Sequence, residues 1–238
     1  MNYKTEEFVI QIIETLKKTK KIIKKNKNDY QINKKANSDF VTTIDIEIED
    51  FLKQKLLRLI PDSGFIAEES NSKIRKEINW IVDPIDGTTN FINGLDYTIS
   101  VALEVNNEVQ VGIIYQPRKD VVHYAIKGQS AVKWNFRKNK VKVLHTKPKK
   151  TGIIITGLPY NKTKIKRILG SIEVFNEYAD GIRIMGPVSL DICRVAEGKA
   201  ILYTELDLKE WDYAAGKLIL EEAGGRFNQD NDKFSFYA

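Results

Sequence analysis

The chain has 238 residues, of which 42% are hydrophobic and only 6 are proline. This composition allows a substantial core in one large domain or two closely packed small ones, and it excludes an intrinsically disordered chain. Cys193 is the single cysteine, so the chain cannot form an internal disulfide, and this fits a reducing compartment. We expect Cys193 to be a small apolar residue of the core. The net charge of +6 could attract nucleic acid or phosphorylated metabolites, but no RNA-binding, helix-turn-helix or zinc-finger pattern accompanies it.

No targeting or membrane segment is visible in the sequence. The first 30 residues lack the charged-then-apolar layout of a signal peptide, and no apolar run approaches about 18 residues. We therefore expect a cytoplasmic protein that does not contact a membrane and whose main ligand is not nucleic acid.

Two amphipathic helices are predicted near the start of the chain. Apolar residues recur at helical spacing from Phe8 to Ile23, and again from Ile44 to Leu59 within the stretch that begins "SDFVTTID". Pro61 follows the stop of the second helix. A short apolar strand, "GFIAEE", then ends in two carboxylates.

From Trp80 the pattern changes to short β-branched runs separated by turn residues. These predict a meander of mostly antiparallel strands, "WIVD", "TISVALEV", "EVQVGIIYQP", "DVVHYAIKG" and "SAVKWN". Strands "KVKVLHT" and "GIIITGLP" precede three helices, "KTKIKRILGSIEVFNEY", "SLDICRVAEG" and "EWDYAAGKLILEEAGG", which alternate with strands "GIRIMG" and "AILYTE". This order predicts an α+β fold of layered helices and sheets, with residues 1–145 as an α+β half and residues 146–238 as an α/β half of one compact unit.

Acidic residues fall at the ends of four separate apolar segments. They are Asp39 and Asp45, Glu68 and Glu69, Asp83 and Asp86, and Asp212. A buried carboxylate needs a proton, a cationic partner or a metal ion, and oxygen ligands favour Mg²⁺ or Mn²⁺. Zinc would more often recruit histidine and cysteine. The two histidines, His123 and His145, are predicted to be ordinary strand residues, so the pattern favours a magnesium site.

The segment "DPIDGTT" adds geometry to this hypothesis. Asp83 ends a predicted strand, Pro84 fixes a backbone angle, and Asp86 is carried round the turn. Gly87 allows close approach of a ligand, and the residues after it can open a short helix whose free N–H groups suit a phosphate. Metal ions and phosphate would then share one edge, as two-metal phosphoryl hydrolysis requires. A plain acidic turn is the alternative interpretation at this point.

Two long stretches, "WIVDPIDGTTNF" and "WDYAAGKLILEEAGG", resemble the signature motifs of the inositol monophosphatase family. The resemblance runs from about residue 30 to residue 228 and includes "SDFVTTID", "FIAEES" and "GPVSLDICRVAEGKA". It implies the layered αβαβα sandwich of the inositol monophosphatase and fructose-bisphosphatase type. It also implies a Mg²⁺-dependent, lithium-sensitive phosphatase that acts on a small phosphorylated metabolite and forms a homodimer.

The resemblance assigns roles to particular residues. The implied catalytic residues are Asp45, Glu68 and Thr88. The implied ligands of two or three Mg²⁺ ions, for which Mn²⁺ can substitute, are Glu68, Asp83, the Ile85 carbonyl, Asp86 and Asp212. The implied substrate contacts are Gly87, Thr88, Thr89, Gly186, Val188 and Glu205, with Lys34 as a further basic position near the site. Asp45 and Thr88 would position and deprotonate the attacking water, while the ions neutralise the ester.

The chain departs from the family pattern at "GPVS", Gly186 to Ser189, where the family often has Gly-Ser/Thr-Ala. Pro187 removes an N–H and a hydroxyl from a strip that commonly touches the alcohol part of the substrate. Glu205 falls where inositol phosphatases carry a glutamate near the ring hydroxyls, which favours a polyol phosphate. After "GGRF", the resemblance leads us to expect that the family's final strand and helix are missing.

Three functions are consistent with these residues. The first is Mg²⁺-dependent hydrolysis of inositol-1-phosphate or a related polyol phosphate. The second is a 3′(2′),5′-bisphosphate nucleotidase, to which "VAEGKAILY" is also similar. The third is a regulatory scaffold that binds RNA or a transcription complex, and the complete set of acids counts against it.

Overall fold

The computed structural model describes residues 3–26, 29–36, 39–70, 75–158, 164–176 and 179–238. Within this part of the chain there are six helices and fourteen strands. The helices are α1 (Glu6–Asn26), α2 (Thr43–Leu59), α3 (Thr88–Ile92), α4 (Ile165–Phe175), α5 (Val188–Ala196) and α6 (Glu210–Glu222). The strands are β1 (Ile32–Ala36), β2 (Asp39–Thr42), β3 (Gly64–Ala67), β4 (Ile78–Asp86), β5 (Thr98–Val105), β6 (Glu108–Gln116), β7 (Val121–Ile126), β8 (Val132–Asn135), β9 (Lys140–Val143), β10 (Gly152–Thr156), β11 (Ala179–Arg183), β12 (Leu202–Leu206), β13 (Arg226–Asp230) and β14 (Lys233–Tyr237).

Two sheets contain all of these strands except β1 and β2, which form a separate antiparallel hairpin. The larger sheet has seven strands in chain order from β3 to β9. Its neighbours are antiparallel except β3 and β4, so the predicted meander is confirmed. The smaller sheet has the order β11-β10-β12-β14-β13, with β10 parallel to both of its neighbours and β14 antiparallel to both.

The helices and sheets stack as five layers. Helices α1 and α2 pack on one face of the seven-stranded sheet, and α5 and α6 lie between its other face and the five-stranded sheet. The crossover through α4 leads from β10 to β11, whereas the crossover through α5 leads back past β10 to β12. Right-handed crossovers in opposite directions place their helices on opposite faces of a sheet, so α4 forms the outermost layer. The predicted αβαβα sandwich is confirmed.

The outer helices are fixed by an apolar core against the seven-stranded sheet. Ile12 and Leu16 of α1 and Leu52 of α2 are fully buried with Trp80 of β4. The Phe8 ring stacks on the Trp80 indole with ring centroids 6.2 Å apart. Complete burial of a large apolar side chain contributes about 1.5–3 kcal/mol, so this cluster holds the end of β4 firmly in place.

Three local expectations are wrong. The stretch "SDFVTTID" does not lead directly into a helix, because β2 runs to Thr42 and pairs with β1 before α2 begins. Strand β13 begins at Arg226 within "GGRF", and β14 follows it and pairs with β12 inside the smaller sheet, so the expected loss of the final strand is wrong. His145 follows the end of β9 and is exposed, rather than lying on a strand. In the part of the chain that the structure describes, no helix combines the length and apolar character needed to cross a membrane.

Close packing between β6 and α6 depends on Gly112. A Cβ atom at this position would lie 2.6 Å from the carbonyl oxygen of Ala215 and 3.0 Å from its Cα. Both atoms belong to the backbone of α6 and cannot move without shifting the helix. Since α6 carries Asp212, this contact sets the distance between the seven-stranded sheet and one of the predicted site residues.

We expect Gly112→Ala to lower the free energy of unfolding by about 1–3 kcal/mol, the usual cost of overpacking. The matched control is Gly170→Ala on α4, where a Cβ meets no atom within 4 Å. Replacing that exposed helical glycine by alanine should instead raise the free energy of unfolding by about 0.5–1 kcal/mol. Urea unfolding measures both changes, and equal shifts for the two variants would contradict the close contact between β6 and α6.

Candidate active site

Five carboxylates gather where strands end and helices begin. Asp45 lies in the first turn of α2, Glu68 directly follows β3, Asp83 and Asp86 end β4, and Asp212 lies in the first turn of α6. The pKa of Asp83 is raised well above its usual range, first by burial and then by the nearby carboxylates of the other four acids. The structure therefore brings together all five acids that the sequence predicted for the site.

Asp83 and Asp212 have few hydrogen-bond partners. Asp83 accepts the N–H of Ile85 at 3.0 Å, and Asp212 accepts the N–H of Lys209 at 2.6 Å. Neither carboxylate pairs with a lysine, arginine or histidine among the described residues. Burial and neighbouring acids raise the pKa of Asp212 well above its usual range as well. Since a carboxylate has about four acceptor positions, both groups retain unused lone pairs in a setting that disfavours their charge.

Asp212 lies inside the first turn of α6 and is not at its N-cap position. It is the third residue of the helix, and its carboxylate accepts the backbone N–H of Lys209, the residue at the N-cap position. The lysine side chain has no acceptor atom and cannot complete the reciprocal half of a capping box. Asp212 thus acts as the cap from inside the first turn while one oxygen stays available.

Asp86 is bound to the N-terminus of α5. Its carboxylate accepts the N–H groups of Val188 and Ser189 at 2.9 and 2.8 Å, the hydroxyl of Thr98 at 3.0 Å, and the hydroxyl of Ser189. Burial raises the pKa of Asp86, and these donors partly reverse the shift. The positive end of the α5 dipole acts in the same direction. Three of the four bonds reach Oδ2, which leaves Oδ1 as the oxygen with spare acceptor capacity.

Thr98 and Ser189 are site residues that the sequence analysis missed. Thr98 lies opposite Asp86 in the pairing of β4 with β5, after a register shift between Asp83 and Asp86. Ser189 comes from a segment more than a hundred residues away and meets both Asp86 and Thr98, whose hydroxyl is 2.7 Å from its own. In the sequence, the only indication that either residue belongs to the site is its hydroxyl group. A threonine at the start of a strand is too common to be singled out on that basis.

Asp45 and Thr88 form a hydrogen-bonded pair. A capping box fixes Asp45, because its carboxylate accepts the Thr42 N–H at 2.9 Å while the Thr42 hydroxyl accepts N–H bonds from the start of α2. The Thr88 hydroxyl lies 3.1 Å from Asp45 Oδ1 and 3.1 Å from the Ile85 carbonyl oxygen. It has one proton and can donate to only one of them at a time. Burial raises the pKa of Asp45, so this carboxylate is a better proton acceptor than an exposed aspartate.

The turn after β4 is fixed by Gly87. This residue adopts a φ of +88°, in the left-handed region, and is the N-cap of α3. A Cβ atom here would lie 3.0 Å from Cγ of Pro187, so the two loops that border the acids are in contact. Both the backbone angle and the contact favour glycine. Thr89 follows on α3 and is exposed.

Glu205 lies at the end of β12 with its carboxyl group buried. Burial raises its pKa to about 7, and the nearby acids Asp191 and Asp86 act in the same direction. The Tyr203 hydroxyl donates a hydrogen bond to it and opposes the shift. A Cβ atom on Gly157 would overlap this carboxyl group, so the glycine leaves the space that Glu205 occupies.

The structure shows the surroundings of further residues that were predicted to lie in or near the site. Lys34 is exposed on β1 and makes no hydrogen bond or ion pair with the acids among the described residues. The Val188 N–H is already bonded to Asp86, and Gly186 is exposed beside Asn90. The side chain of Asp39 lies outside the described residues. The contacts of these groups with a substrate stay predictions.

The acids fit a divalent ion by their chemistry, though not by their present arrangement. Among the residues described, no three His, Cys, Asp or Glu side chains are placed so that they could hold a metal ion as they stand. The donor set nevertheless consists of carboxylate oxygens and a main-chain carbonyl, the ligands that Mg²⁺ prefers. Repulsion between the carboxylates favours rotamers that separate them, and a cation would reverse that preference. Side-chain rotation is therefore part of the expected binding step.

We expect Asp83→Asn to stabilise the metal-free protein at neutral pH. Because the pKa of Asp83 is raised in the folded state, its contribution to stability is present at low pH and is lost as the pH rises above the unfolded value of about 3.9. The asparagine oxygen can still accept the Ile85 N–H. In EDTA at pH 7.5 the melting temperature should rise by about 2–4 °C, the effect of ~1 kcal/mol in a chain of this size.

The control for this stability measurement is Asp50→Asn, at an exposed position on α2. It should leave the melting temperature unchanged at both pH 4 and pH 7.5. The difference between Asp83→Asn and the unsubstituted protein should shrink towards pH 4. A lower melting temperature for Asp83→Asn at pH 7.5 would contradict the repulsion between the acids.

A layered αβαβα sandwich whose acids converge at the end of β4 defines the inositol monophosphatase and fructose-bisphosphatase class of folds. A model of the inositol monophosphatase family matches residues 4–235. The chain belongs to the inositol monophosphatase family.

Three known proteins illustrate the relationship. Nus factor SuhB of Pasteurella multocida (strain Pm70) is 33% identical over 204 residues, which are 84% of this chain and 75% of that protein. Inositol-1-monophosphatase of Rhizobium meliloti (strain 1021) is 35% identical over 200 residues, which are 82% of this chain and 74% of that protein. The crystal structure of extragenic suppressor protein suhB from Bartonella henselae superposes with a TM-score of 0.88 at 26% identity, covering 98% of this chain and 94% of that one.

Proposed function

We propose that this protein is a Mg²⁺-dependent phosphatase that hydrolyses a small phosphate monoester, inositol-1-phosphate or a related polyol phosphate. The observation that carries the proposal is the group of Asp83, Asp86 and Asp212, none of which pairs with a lysine, arginine or histidine among the described residues. This group lies next to the hydrogen-bonded pair of Asp45 and Thr88. Such a cluster needs positive charge, and a phosphate dianion needs the same positive charge before water can attack it. Membership of the inositol monophosphatase family supports the same activity.

The family resemblance assigns the acids to two metal positions that share Asp83. Glu68, Asp83 and the Ile85 carbonyl would hold one ion, and Asp83, Asp86 and Asp212 would hold a second. Bound Mg²⁺ lowers the pKa of water and neutralises charge on the phosphate. We infer two ions, with a third held weakly through water near Glu68, and Mn²⁺ as a substitute. Lithium sensitivity stays a prediction from the family resemblance.

Proton transfer is assigned to Asp45 and Thr88. The Thr88 hydroxyl donates to Asp45 and is then oriented to accept a hydrogen bond from an attacking water. The buried Asp45 carboxylate, with its raised pKa, takes the proton that the water loses. The capping box holds this carboxylate in one orientation, so little reorganisation is needed during the reaction. The first N–H groups of α3 have no partner within the helix and are directed to the phosphate.

Glu205 supports a polyol as the alcohol part of the substrate. With a pKa of about 7, its carboxyl group is divided between protonated and ionised forms at neutral pH and can donate or accept a hydrogen bond. Hydroxyl groups on a ring both donate and accept hydrogen bonds, so this carboxyl group can pair with them in either form. The relative from Rhizobium meliloti carries the name inositol-1-monophosphatase, which agrees with this preference. A homodimer and a cytoplasmic location complete the proposal.

The test is hydrolysis of a panel of phosphate esters with Mg²⁺, including inositol-1-phosphate and adenosine 3′,5′-bisphosphate. We expect inositol-1-phosphate to be preferred, and Asp212→Asn to lower kcat by a factor on the order of 10²–10³, the effect of losing one electrostatic contact to the transition state. Asp50→Asn is the matched control and should retain full activity. Full activity in Asp212→Asn would refute the assignment of metal ligands, and preference for the bisphosphate would move the protein to the nucleotidase alternative.

A transcription-associated scaffold is the second candidate function. The observation that favours it is the name Nus factor SuhB, which the Pasteurella multocida relative carries. On our proposal, a short single-stranded RNA should bind weakly, with a Kd of about 10⁻⁴–10⁻⁶ M, and the affinity should fall steeply with salt, as for any basic surface. Fluorescence anisotropy measures this binding. A much tighter Kd at physiological salt, retained by Asp83→Asn, would favour the scaffold.

A further inference from the structure

A basic cavity of about 380 Å³ lies on the side of α5 that faces β7 and β8. Side chains from the end of β6, the turn after it, β7, β8, the turn before β9, and α5 with the loop that follows it line the cavity. They are Gln116, Lys119, Val121, His123, Lys133, Asn135, Arg137, Lys138, Leu190, Arg194, Glu197 and Lys199. None of the five acids of the candidate active site is among them.

Six of the lining side chains are lysine or arginine, and Glu197 is the one acid among them. Some of these cations have partners: Lys133 and Lys199 pair with Glu197 at 2.8 and 2.7 Å. Lys119 and Arg194 pair with acids that lie outside the lining. The cavity therefore keeps an excess of positive charge that its own residues do not neutralise.

Arg137 and Lys138 supply most of that excess. Both are exposed in the turn between β8 and β9, and no acid pairs with either among the residues that the structure describes. Arg137 donates to the carbonyl oxygen of Arg118, and this bond holds the guanidinium in place without neutralising it. Two uncompensated cations beside four others repel one another, and a bound anion would relieve that repulsion.

His123 lines the cavity and has one ring nitrogen without a hydrogen-bond partner among the described residues. Its ring is buried, with Nε2 at 2.9 Å from Glu197 Oε1. Burial lowers the pKa of His123, so the ring is neutral and donates its Nε2 proton to Glu197. Nδ1 is then an acceptor, and it has no hydrogen-bond partner among the described residues. A buried acceptor without a partner is uncommon in folded proteins.

The shape and composition of the cavity favour a small ligand over a nucleic acid. Its volume lies within the range of about 300–1,000 Å³ that is usual for small-molecule sites. No phenylalanine, tyrosine or tryptophan lines it. Single-stranded RNA is usually held by stacking its bases on aromatic rings, and this cavity offers none.

We propose that this cavity is a second anion site, which binds a compact di- or polyphosphate without an aromatic base. The site is separate from the proposed catalytic function, because the acids that would hold Mg²⁺ play no part in it. Arg137 and Lys138 bind the terminal phosphate oxygens. Lys133 and Lys199, which ion pairs with Glu197 hold in place, line the cavity beside them. Helix α5 joins the two sites, since its first N–H groups bind Asp86 and its last two turns line the cavity.

Calorimetric titration with inorganic pyrophosphate in EDTA tests the proposal. Without divalent ions the acidic site repels anions and should not contribute to the binding that is measured. We expect pyrophosphate to bind at least tenfold more tightly than orthophosphate, and Arg137→Gln/Lys138→Gln to weaken pyrophosphate binding at least tenfold. The matched control is Lys18→Gln/Lys24→Gln, which removes two exposed charges from α1 and should bind as the unsubstituted protein does.

Two further comparisons separate this site from the alternatives. Asp83→Asn should bind pyrophosphate unchanged, so loss of the phosphatase activity and loss of this site are distinguishable. Equal weakening in both double variants would show attraction to net charge alone and would overturn the proposal. The same holds if a short RNA binds through Arg137 and Lys138 and pyrophosphate does not displace it. Thermal unfolding of each variant confirms that it is folded, and Lys138→Glu provides a second test if the double variant is not.

Discussion

Repulsion between buried carboxylates is the constraint on which the site depends. The fold places Asp45, Asp86 and Asp212 close enough to Asp83 to raise its pKa, and Asp86 also raises the pKa of Asp212. Among the described residues, no lysine or arginine pairs with these four acids to compensate. Backbone N–H groups at the starts of α2, α5 and α6 offset part of that cost. What remains is an arrangement that a divalent cation would stabilise and that a purely structural role would not require.

The layered architecture explains how acids so far apart in sequence come to share one edge. Strands β3 and β4 are parallel neighbours, and Ala67 is paired with Val82. Glu68 and Asp83, the residues that follow this pair, therefore lie side by side at the same end of the sheet. Helix α6 packs across the other face of that sheet, and the missing side chain of Gly112 lets it approach closely enough for Asp212 to reach the end of β4. The same strands and helices therefore carry both the apolar contacts that stabilise the fold and the acidic residues of the site.

Much of this could be predicted from the sequence, because strong local patterns coincide with the functional segments. The helical periodicity of α1, the alternation of the meander and the segment "DPIDGTT" each depend on residues close together in the chain. The hairpin of β1 and β2 was missed, because "SDFVTTID" contains a good capping box whose threonine also ends a strand. Thr98 and Ser189 were missed because strand register and the docking of α5 depend on tertiary packing, which local pattern does not specify.

The departure at Pro187 is explained by the same carboxylate that is assigned to the metal. Pro187 is the N-cap of α5 and offers no side-chain acceptor, so it cannot cap the helix. Asp86 does so instead, by accepting the N–H groups of Val188 and Ser189 from the neighbouring strand. One carboxylate thus holds the helix start and faces the proposed ion. Any change in the charge around Asp86 must alter how firmly α5 is held, and α5 also forms one wall of the basic cavity. The two sites are therefore connected by a single short helix whose position is set electrostatically at the acidic end.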